Sequence, residues 1–197
     1  MCHRFTPLTV VEAESVLASR RDTGRATVPA SDPAVVVPDA YPGTQVPLFV
    51  PGEGGELEVA VLTWGFEGPG RSSRPVFNTR IETALSHVRA GSGMWADAIE
   101  RGRCLVPVRA FFEPCTVSGE RGAQVRFTMG RRSAFLLAGV CEGDRFSVVT
   151  TRPNAAVAPI HQRMPLVLSA GESSVWLGSG YAGLSDRTGI ELEPEPV

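Results

Sequence analysis

The sequence predicts one mainly β domain of the α+β class, with short peripheral helices around a barrel-like antiparallel sheet. Its 197 residues suffice for a single domain with a substantial core. Its 16 prolines and 21 glycines indicate many turns and short strands. In its second half, four apolar, β-prone segments follow one another between turns, which is typical of an antiparallel meander.

Each strand is predicted from an apolar segment that is bounded by turn residues. The four segments of the meander are 104–112, 124–129, 134–142 and 146–151. Shorter strands are predicted at 46–50, 56–64 and 165–168. Residues 22–40 and 67–73 contain several prolines or glycines and are expected to be irregular connections.

The helices are predicted from apolar spacing and from capping residues. Residues 7–21 carry apolar side chains at helical intervals, with Thr6 as the expected N-cap and Pro7 in the first position. Short helices are expected at 81–89, 94–101 and 172–177. The domain is expected to cover residues 1–184, and residues 185–197 are expected to form a polar, loosely held tail.

The amino-acid composition limits the classes of function that this chain can have. The formal net charge of −2 gives no support for general nucleic-acid affinity. The 19 basic residues are all arginines, so any amine chemistry must use the α-amino group. The sequence has no apolar segment of membrane-spanning length and no signal-peptide pattern, so we expect a cytoplasmic protein. Its four cysteines lack metal-ligand spacing and are expected to be free thiols without a metal.

Cys2 is the first candidate for chemistry. Removal of Met1 leaves its amine and its thiol on adjacent carbons. Such an aminothiol traps aldehydes, because the amine forms an imine that the thiol closes to a thiazolidine. An α-amino pKa of about 8 leaves a useful fraction of neutral amine near neutral pH. A cysteine at position 2 also arises by chance, so this residue alone does not decide the function.

Three more residues are candidates for the site, and each also has a purely structural interpretation. Asn78 precedes a predicted helix, where asparagine is a good N-cap. Glu113 follows two aromatic residues at a strand end. Burial there would raise its pKa and make it suitable for proton transfer. The alternative is an ordinary solvated carboxylate in a turn. His161 lies among apolar residues, where a histidine is more often part of the core than a catalyst.

Short motifs along most of the chain resemble the SRAP family of SOS-response-associated peptidases. In order they are Met1-Cys2-His3-Arg4-Phe5, Tyr41-Pro42-Gly43-Thr44-Gln45, Trp64-Gly65-Phe66, Asn78-Thr79-Arg80-Ile81-Glu82-Thr83-Ala84, Arg103-Cys104-Leu105-Val106-Pro107 through Phe112-Glu113, Thr150-Thr151, and Ala158-Pro159-Ile160-His161 to Pro165. The resemblance implies a protein that processes itself by removing Met1. It also implies covalent bonding to abasic sites in single-stranded DNA, which protects the lesion.

The resemblance assigns roles to individual residues. Cys2 would be the nucleophile and the crosslinking residue, and Asn78 would orient its amine or the opened sugar. Glu113 would move protons during Met1 removal and imine formation, and His161 would donate a proton to the sugar oxygen. The expected DNA contacts are Arg4, Pro42, Gly43, Thr44, Trp64, Gly65, Arg71, Arg80, Thr151 and Arg163. No cofactor, metal or membrane is implied, and a monomer that associates with the nucleoid on DNA is expected.

The sequence departs from the family at four places. His3 stands where the family usually has glycine, and Pro114 where it usually has tryptophan. Gly70 and Arg71 occupy positions at which the family carries DNA-stacking tryptophans. The C-terminus ends early and lacks the family's last strand. Since stacking on an aromatic contributes roughly 1–3 kcal/mol per base, weaker DNA binding is expected.

Two other functions remain open at this point. The first is a cysteine peptidase or N-terminal-nucleophile hydrolase that uses Cys2 and His161 on a peptide or amide. The second is a degenerate module that binds DNA without bonding to it.

Overall fold

A computed structural model of the chain describes residues 2–23, 27–29, 37–68, 74–115, 123–130 and 132–197. Within these ranges, eleven strands form one mixed sheet and four short α-helices pack around it. The predicted single, mainly β domain with peripheral helices is thus confirmed. No helix in the described ranges is long and apolar enough to cross a membrane.

The strands are β1 (Arg4–Pro7), β2 (Gln45–Pro51), β3 (Leu57–Trp64), β4 (Asn78–Arg80), β5 (Arg103–Pro114), β6 (Gln124–Thr128), β7 (Phe135–Glu142), β8 (Arg145–Thr151), β9 (Met164–Pro165), β10 (Val167–Leu168) and β11 (Glu193–Pro196). The helices are α1 (Val10–Thr23), α2 (Ile81–Ala90), α3 (Ala96–Arg101) and α4 (Glu172–Leu177), and a 3-10 helix covers Tyr181–Ser185. The four strands predicted for the meander are confirmed, with ends within two residues of the prediction.

The sheet curls into a ring. Strand β5 pairs with both β2 and β7, and β7, β8 and β3 complete the circuit back to β2. The ring is not a true barrel, because two of its joins are short: β3 and β8 share two residue pairs, and β2 and β5 share one, Phe49 with Leu105. The prediction of an antiparallel sheet is wrong in one respect: β3 and β4 both run parallel to β8.

Both faces of the sheet are buried, which explains the continuous apolar segments. Along β5, Cys104, Val106 and Val108 pack into one core cluster, whereas Leu105 packs into the other. This alternation follows from the two-residue period of a strand. The first cluster contains Cys2 together with the rings of Phe5 and Trp64. The second lies under the helices and includes Trp176.

The first helix begins later than predicted. Thr6 lies in β1, where its hydroxyl donates to Asp39 Oδ1, and Pro7 ends that strand. The cap is Thr9: its Oγ1 accepts the Glu12 amide at 3.2 Å, and the Glu12 carboxylate accepts the Thr9 amide at 2.8 Å. This reciprocal capping box satisfies two amides that a helix start leaves unpaired.

The predicted strand at 165–168 is divided in two. Its first half, β9, pairs with β8, and its second half, β10, pairs with β7. Leu166 makes the crossing, since its amide donates to Val149 and its carbonyl accepts from Ala138.

The C-terminal residues are packed rather than loosely held. Strand β11 pairs antiparallel with β6, so it extends the sheet. Ile190 and Leu192 are buried in the first core cluster, and Asn154 Nδ2 donates to the Ile190 carbonyl at 2.7 Å. The polar composition of this segment gave no indication of this packing. Two apolar side chains and backbone pairing suffice to hold a short edge strand.

We predict that Leu192→Ala lowers the free energy of unfolding by about 2–3 kcal/mol, because it removes a buried side chain from the core. Denaturant unfolding measures this change. The neighbouring exposed residue supplies the control: Glu191→Ala should stay within about 0.5 kcal/mol of the parent. Equal stability of the two variants would mean that the segment is not docked in solution.

Candidate functional site around Cys2

Cys2 lies inside the protein and is held by two hydrogen bonds. Its side chain is completely buried, in the cluster that contains Phe5 and Trp64. Asn78 Nδ2 donates to the Cys2 carbonyl at 2.7 Å. The Cys2 thiol lies 3.7 Å from the Arg4 carbonyl, to which it donates. The position of residue 2 is therefore fixed although it stands at the start of the chain.

Strand pairing brings the other site residues to Cys2. Strand β1 is antiparallel to β5, with Arg4 opposite Phe112. The same register, carried back along the chain, places His3 opposite Glu113 and Cys2 opposite Pro114. Asn78 opens β4, which lies parallel to β8. Asn78 is therefore a strand residue rather than a helix cap, and Arg80 stands at the N-cap of α2.

Glu113 is a buried carboxyl group. Its side chain is 0% exposed, and burial raises its pKa to about 7. Burial, and then the charge of Glu113, raise the pKa of the Cys2 thiol well above its ordinary value. Near neutral pH Glu113 is thus populated in both protonation states, as a group that gives and takes protons must be.

His161 lies beside this carboxyl group, with Nδ1 at 3.7 Å from Glu113 Oε2. The same nitrogen lies 3.0 Å from the Arg163 carbonyl oxygen and 3.1 Å from the Arg163 amide nitrogen, so either tautomer of the neutral ring has a backbone partner at Nδ1. Burial lowers the pKa of His161, which favours this neutral form. The Arg163 backbone therefore holds the ring in place through Nδ1.

One amide oxygen in the site is unsatisfied. Asn78 is 9% exposed, and its Oδ1 has no hydrogen-bond partner in the part of the chain that the structure describes. A buried acceptor without a partner is costly in a folded protein. Asn78 Oδ1 is therefore available for an N–H or O–H group of a ligand or of the Cys2 amine.

The structure thus brings together the four residues that the sequence nominated for catalysis, Cys2, Asn78, Glu113 and His161. The roles assigned to them remain predictions.

Two arginines expected to contact phosphate are already paired with carboxylates. Arg4 donates through Nε to Asp39 at 2.7 Å and through Nη1 to Gln124 at 2.6 Å, and its guanidinium lies 3.9 Å from the Phe112 ring centroid. Arg163 makes a two-bond pair with Glu82, at 3.0 and 2.9 Å. Both guanidinium groups are therefore engaged inside the protein.

Three other expected DNA contacts are buried. Trp64 is completely buried, and its indole N–H donates to the Phe77 carbonyl at 2.8 Å. Gly65 adopts φ +120°, and a β-carbon there would lie 3.2 Å from Pro75. Thr151 is buried and donates to the Ser185 carbonyl. As placed, these residues shape the sheet beside the site.

The remaining expected contacts differ in position. Gly43 and Thr44 lie in an exposed turn, with Pro42 half-buried, and the Gly43 amide donates to the Trp64 carbonyl at 2.8 Å. Arg80 is exposed. Gly70 and Arg71 fall outside the described residues.

Sequence reasoning missed Asp39 and Gln124. Asp39 joins Arg4 and Thr6, and Gln124 contacts both Arg4 and the His3 ring, at 3.4 Å between Nε2 atoms. These contacts span more than thirty residues of chain, 35 for Arg4 to Asp39 and 120 for Arg4 to Gln124, so no local pattern announces them.

Solved structures define the class of fold. A protein from Bordetella bronchiseptica superposes with a TM-score of 0.71 at 21% identity, covering 100% of this chain and 99% of that one. A protein from Bacteroides thetaiotaomicron gives 0.70 at 18% identity, covering 100% and 92%. The ring-like mixed sheet is therefore shared with other bacterial proteins.

The family follows from the sequence. Residues 1–191 match the family described as SOS response associated peptidase (SRAP), and the chain belongs to it. The abasic site processing protein YoqW of Bacillus subtilis is 24% identical over 143 residues, 66% of this chain and 62% of that protein. The abasic site processing protein YoaM of the same species is 21% identical over 139 residues, 66% of this chain and 61% of that protein. The matched part thus spans about three-fifths of these relatives.

We predict that Glu113→Gln changes the pH dependence of stability. Because the folded-state pKa of about 7 lies above the ordinary 4.5, Glu113 favours the folded state at low pH, and that contribution is lost as pH rises through 7. Between about pH 4 and pH 8, the free energy of unfolding of the variant should rise by roughly 3 kcal/mol relative to the parent. Urea unfolding at both pH values measures it.

The matched control is Glu191→Gln, which alters an exposed carboxyl group and should follow the parent across the whole range. A Glu113→Gln variant that also followed the parent would contradict a buried, elevated carboxyl group.

Proposed function

We propose that this protein bonds covalently to abasic sites in single-stranded DNA through Cys2, once Met1 has been removed. The observation that carries the proposal is the burial of Cys2 beside Asn78, Glu113 and His161. Membership of the SRAP family and the names of the Bacillus relatives support processing of abasic sites. The bond would shield the lesion from strand scission.

The chemistry is a condensation without electron transfer. The Cys2 amine attacks the aldehyde carbon of the ring-opened deoxyribose, and the carbonyl oxygen leaves as water when the imine forms. The Cys2 sulfur then adds to the imine carbon, and the thiol proton passes to the nitrogen. One molecule of water is released for each thiazolidine. No cofactor takes part in this balance.

Glu113 would move the protons in these steps. With a pKa of about 7, it accepts a proton from the attacking amine and returns one to the departing oxygen. The buried thiol is protonated at neutral pH, so the amine reacts first and the sulfur second. The same carboxyl group would assist removal of Met1, the peptidase step in this scheme.

Asn78 and His161 would hold the opened sugar. The Asn78 Oδ1 atom, unsatisfied among the described residues, accepts from the Cys2 amine or from a sugar hydroxyl. The His161 ring, held at Nδ1 by the Arg163 backbone, would donate a proton to the sugar oxygen that ring opening releases. Both groups are held by backbone contacts and need little reorganisation when the sugar enters.

We predict that Cys2 is required for a covalent complex. The purified parent, shown by intact mass to lack Met1, should give a denaturant-resistant shifted band with an oligonucleotide that carries one abasic site. Cys2→Ala should give none. Cys2→Ser keeps the amine but not the sulfur, so it should give a band only after borohydride reduction of the imine.

Cys141→Ser is the matched control, because it removes a thiol outside the site and should leave the band unchanged. If the parent bound the oligonucleotide but gave no band, the protein would be a non-covalent DNA-binding module. Cleavage of unrelated peptides that depended on Cys2 would instead favour the hydrolase.

We further predict that Glu113→Gln retains Met1, since an amide cannot take the proton that the cleavage step releases. Intact-mass spectrometry of protein expressed in the same host distinguishes the two masses. His87→Gln, a substitution of a half-buried side chain on α2, serves as the control and should be processed fully. Complete removal of Met1 from the Glu113→Gln variant would assign that step to a cellular aminopeptidase.

A further inference from the structure

Within the part of the chain that the structure describes, the arginines around the site differ in whether they have a partner. Arg4, Arg163 and Arg187 are each paired with a carboxylate within hydrogen-bonding distance. Arg80 and Arg152 are exposed and make neither a hydrogen bond nor an ion pair within the part of the chain that the structure describes. Guanidinium groups without partners are the groups available to an anionic ligand.

The strand pairing places these two residues at one edge. Strands β4 and β8 are parallel, with Arg80 opposite Thr150. Arg80 ends β4, and Arg152 lies one residue beyond the end of β8. Because the carboxyl ends of parallel strands lie at the same edge of a sheet, the two exposed residues lie near each other at that edge.

That edge adjoins the Cys2 site. Asn78 and Arg80 are two residues apart on β4, hence on the same face and about 6.6 Å apart along the strand. Asn78 holds the Cys2 carbonyl. The residues just before β9, which pairs with the end of β8, include His161. A DNA strand with its lesion at Cys2 would therefore pass this edge.

The charges around Arg152 are compatible with an anion. Arg152 lines a cavity of about 390 Å³ together with Ser185 and Thr188. The same cavity is lined by Glu82, Asp186 and Arg187. Glu82 is neutralised by its two-bond pair with Arg163, and Arg187 by Glu172. Among the residues that line this cavity, the carboxylate outside an ion pair is that of Asp186, which accepts the Thr188 amide hydrogen at 2.9 Å. The charge of Arg152 also contributes to the lowered pKa of Glu82.

We propose that Arg152 is a second phosphate-binding residue, which with Arg80 holds one stretch of the DNA backbone next to the reacting nucleotide. The proposal rests on the function proposed above and assigns the grip on DNA to this edge rather than to Arg4 and Arg163. A phosphate contact of this kind strengthens binding to every sequence and orients the strand.

The test measures non-covalent binding, so that it does not depend on crosslinking. The probe is a single-stranded oligonucleotide with one tetrahydrofuran residue, which lacks the aldehyde. For each phosphate contact removed, the slope of log Kobs against log salt should become shallower by about 0.7. Arg152→Ala should show that change and bind about five-fold more weakly near 0.1 M salt.

Arg80→Ala should behave in the same way, and in the double variant the slope should become shallower by about twice as much. Arg152→Lys keeps the charge and should retain most of the slope. Arg89→Ala is the matched control, because it removes an exposed arginine at the far end of α2 and should leave the slope unchanged.

An unchanged slope in Arg152→Ala, or an equal loss in Arg89→Ala, would overturn the assignment. Failure of the underlying function has a different signature: the parent would give no covalent band with an aldehydic abasic site. The two experiments use different oligonucleotides, so each result can be read without the other.

Discussion

The site depends on one strand, β5, which pairs with β1, β2, β6 and β7. Pairing with β1 sets the beginning of the chain against Glu113, and pairing with β7 closes the ring of strands. A terminus is normally the least ordered part of a domain. Here the β1–β5 ladder, together with the Arg4–Asp39 pair, turns the terminus into a fixed part of the core.

Burial sets the protonation states of the site residues as well as their positions. A carboxyl group moved away from water favours its neutral form, which is why the Glu113 pKa reaches about 7. The same environment keeps the Cys2 thiol protonated and His161 neutral. A buried cluster of this kind is suited to moving protons within itself, and it is poorly suited to attracting DNA by charge.

In the proposed function, attraction to DNA would therefore come from arginines outside the cluster. The chain has no lysine and a net charge of −2, so it has little positive charge beyond what its carboxylates neutralise. Arg4 and Arg163 fasten elements of the fold to one another. A guanidinium group that is paired with a carboxylate has fewer hydrogen-bond donors left for a phosphate than an unpaired one.

The sequence by itself determined the fold class, most element positions and the four residues at the site, because apolar periodicity, turn residues and short family motifs are local signals. It missed the parallel pairing of β3 and β4 with β8, the docking of the C-terminal strand, the cap at Thr9 and the pairing of Arg4 with Asp39. Those features depend on which segments meet in space. Only the tertiary structure decided which arginines are paired with a carboxylate, since the partner carboxylate lies many residues away in the sequence.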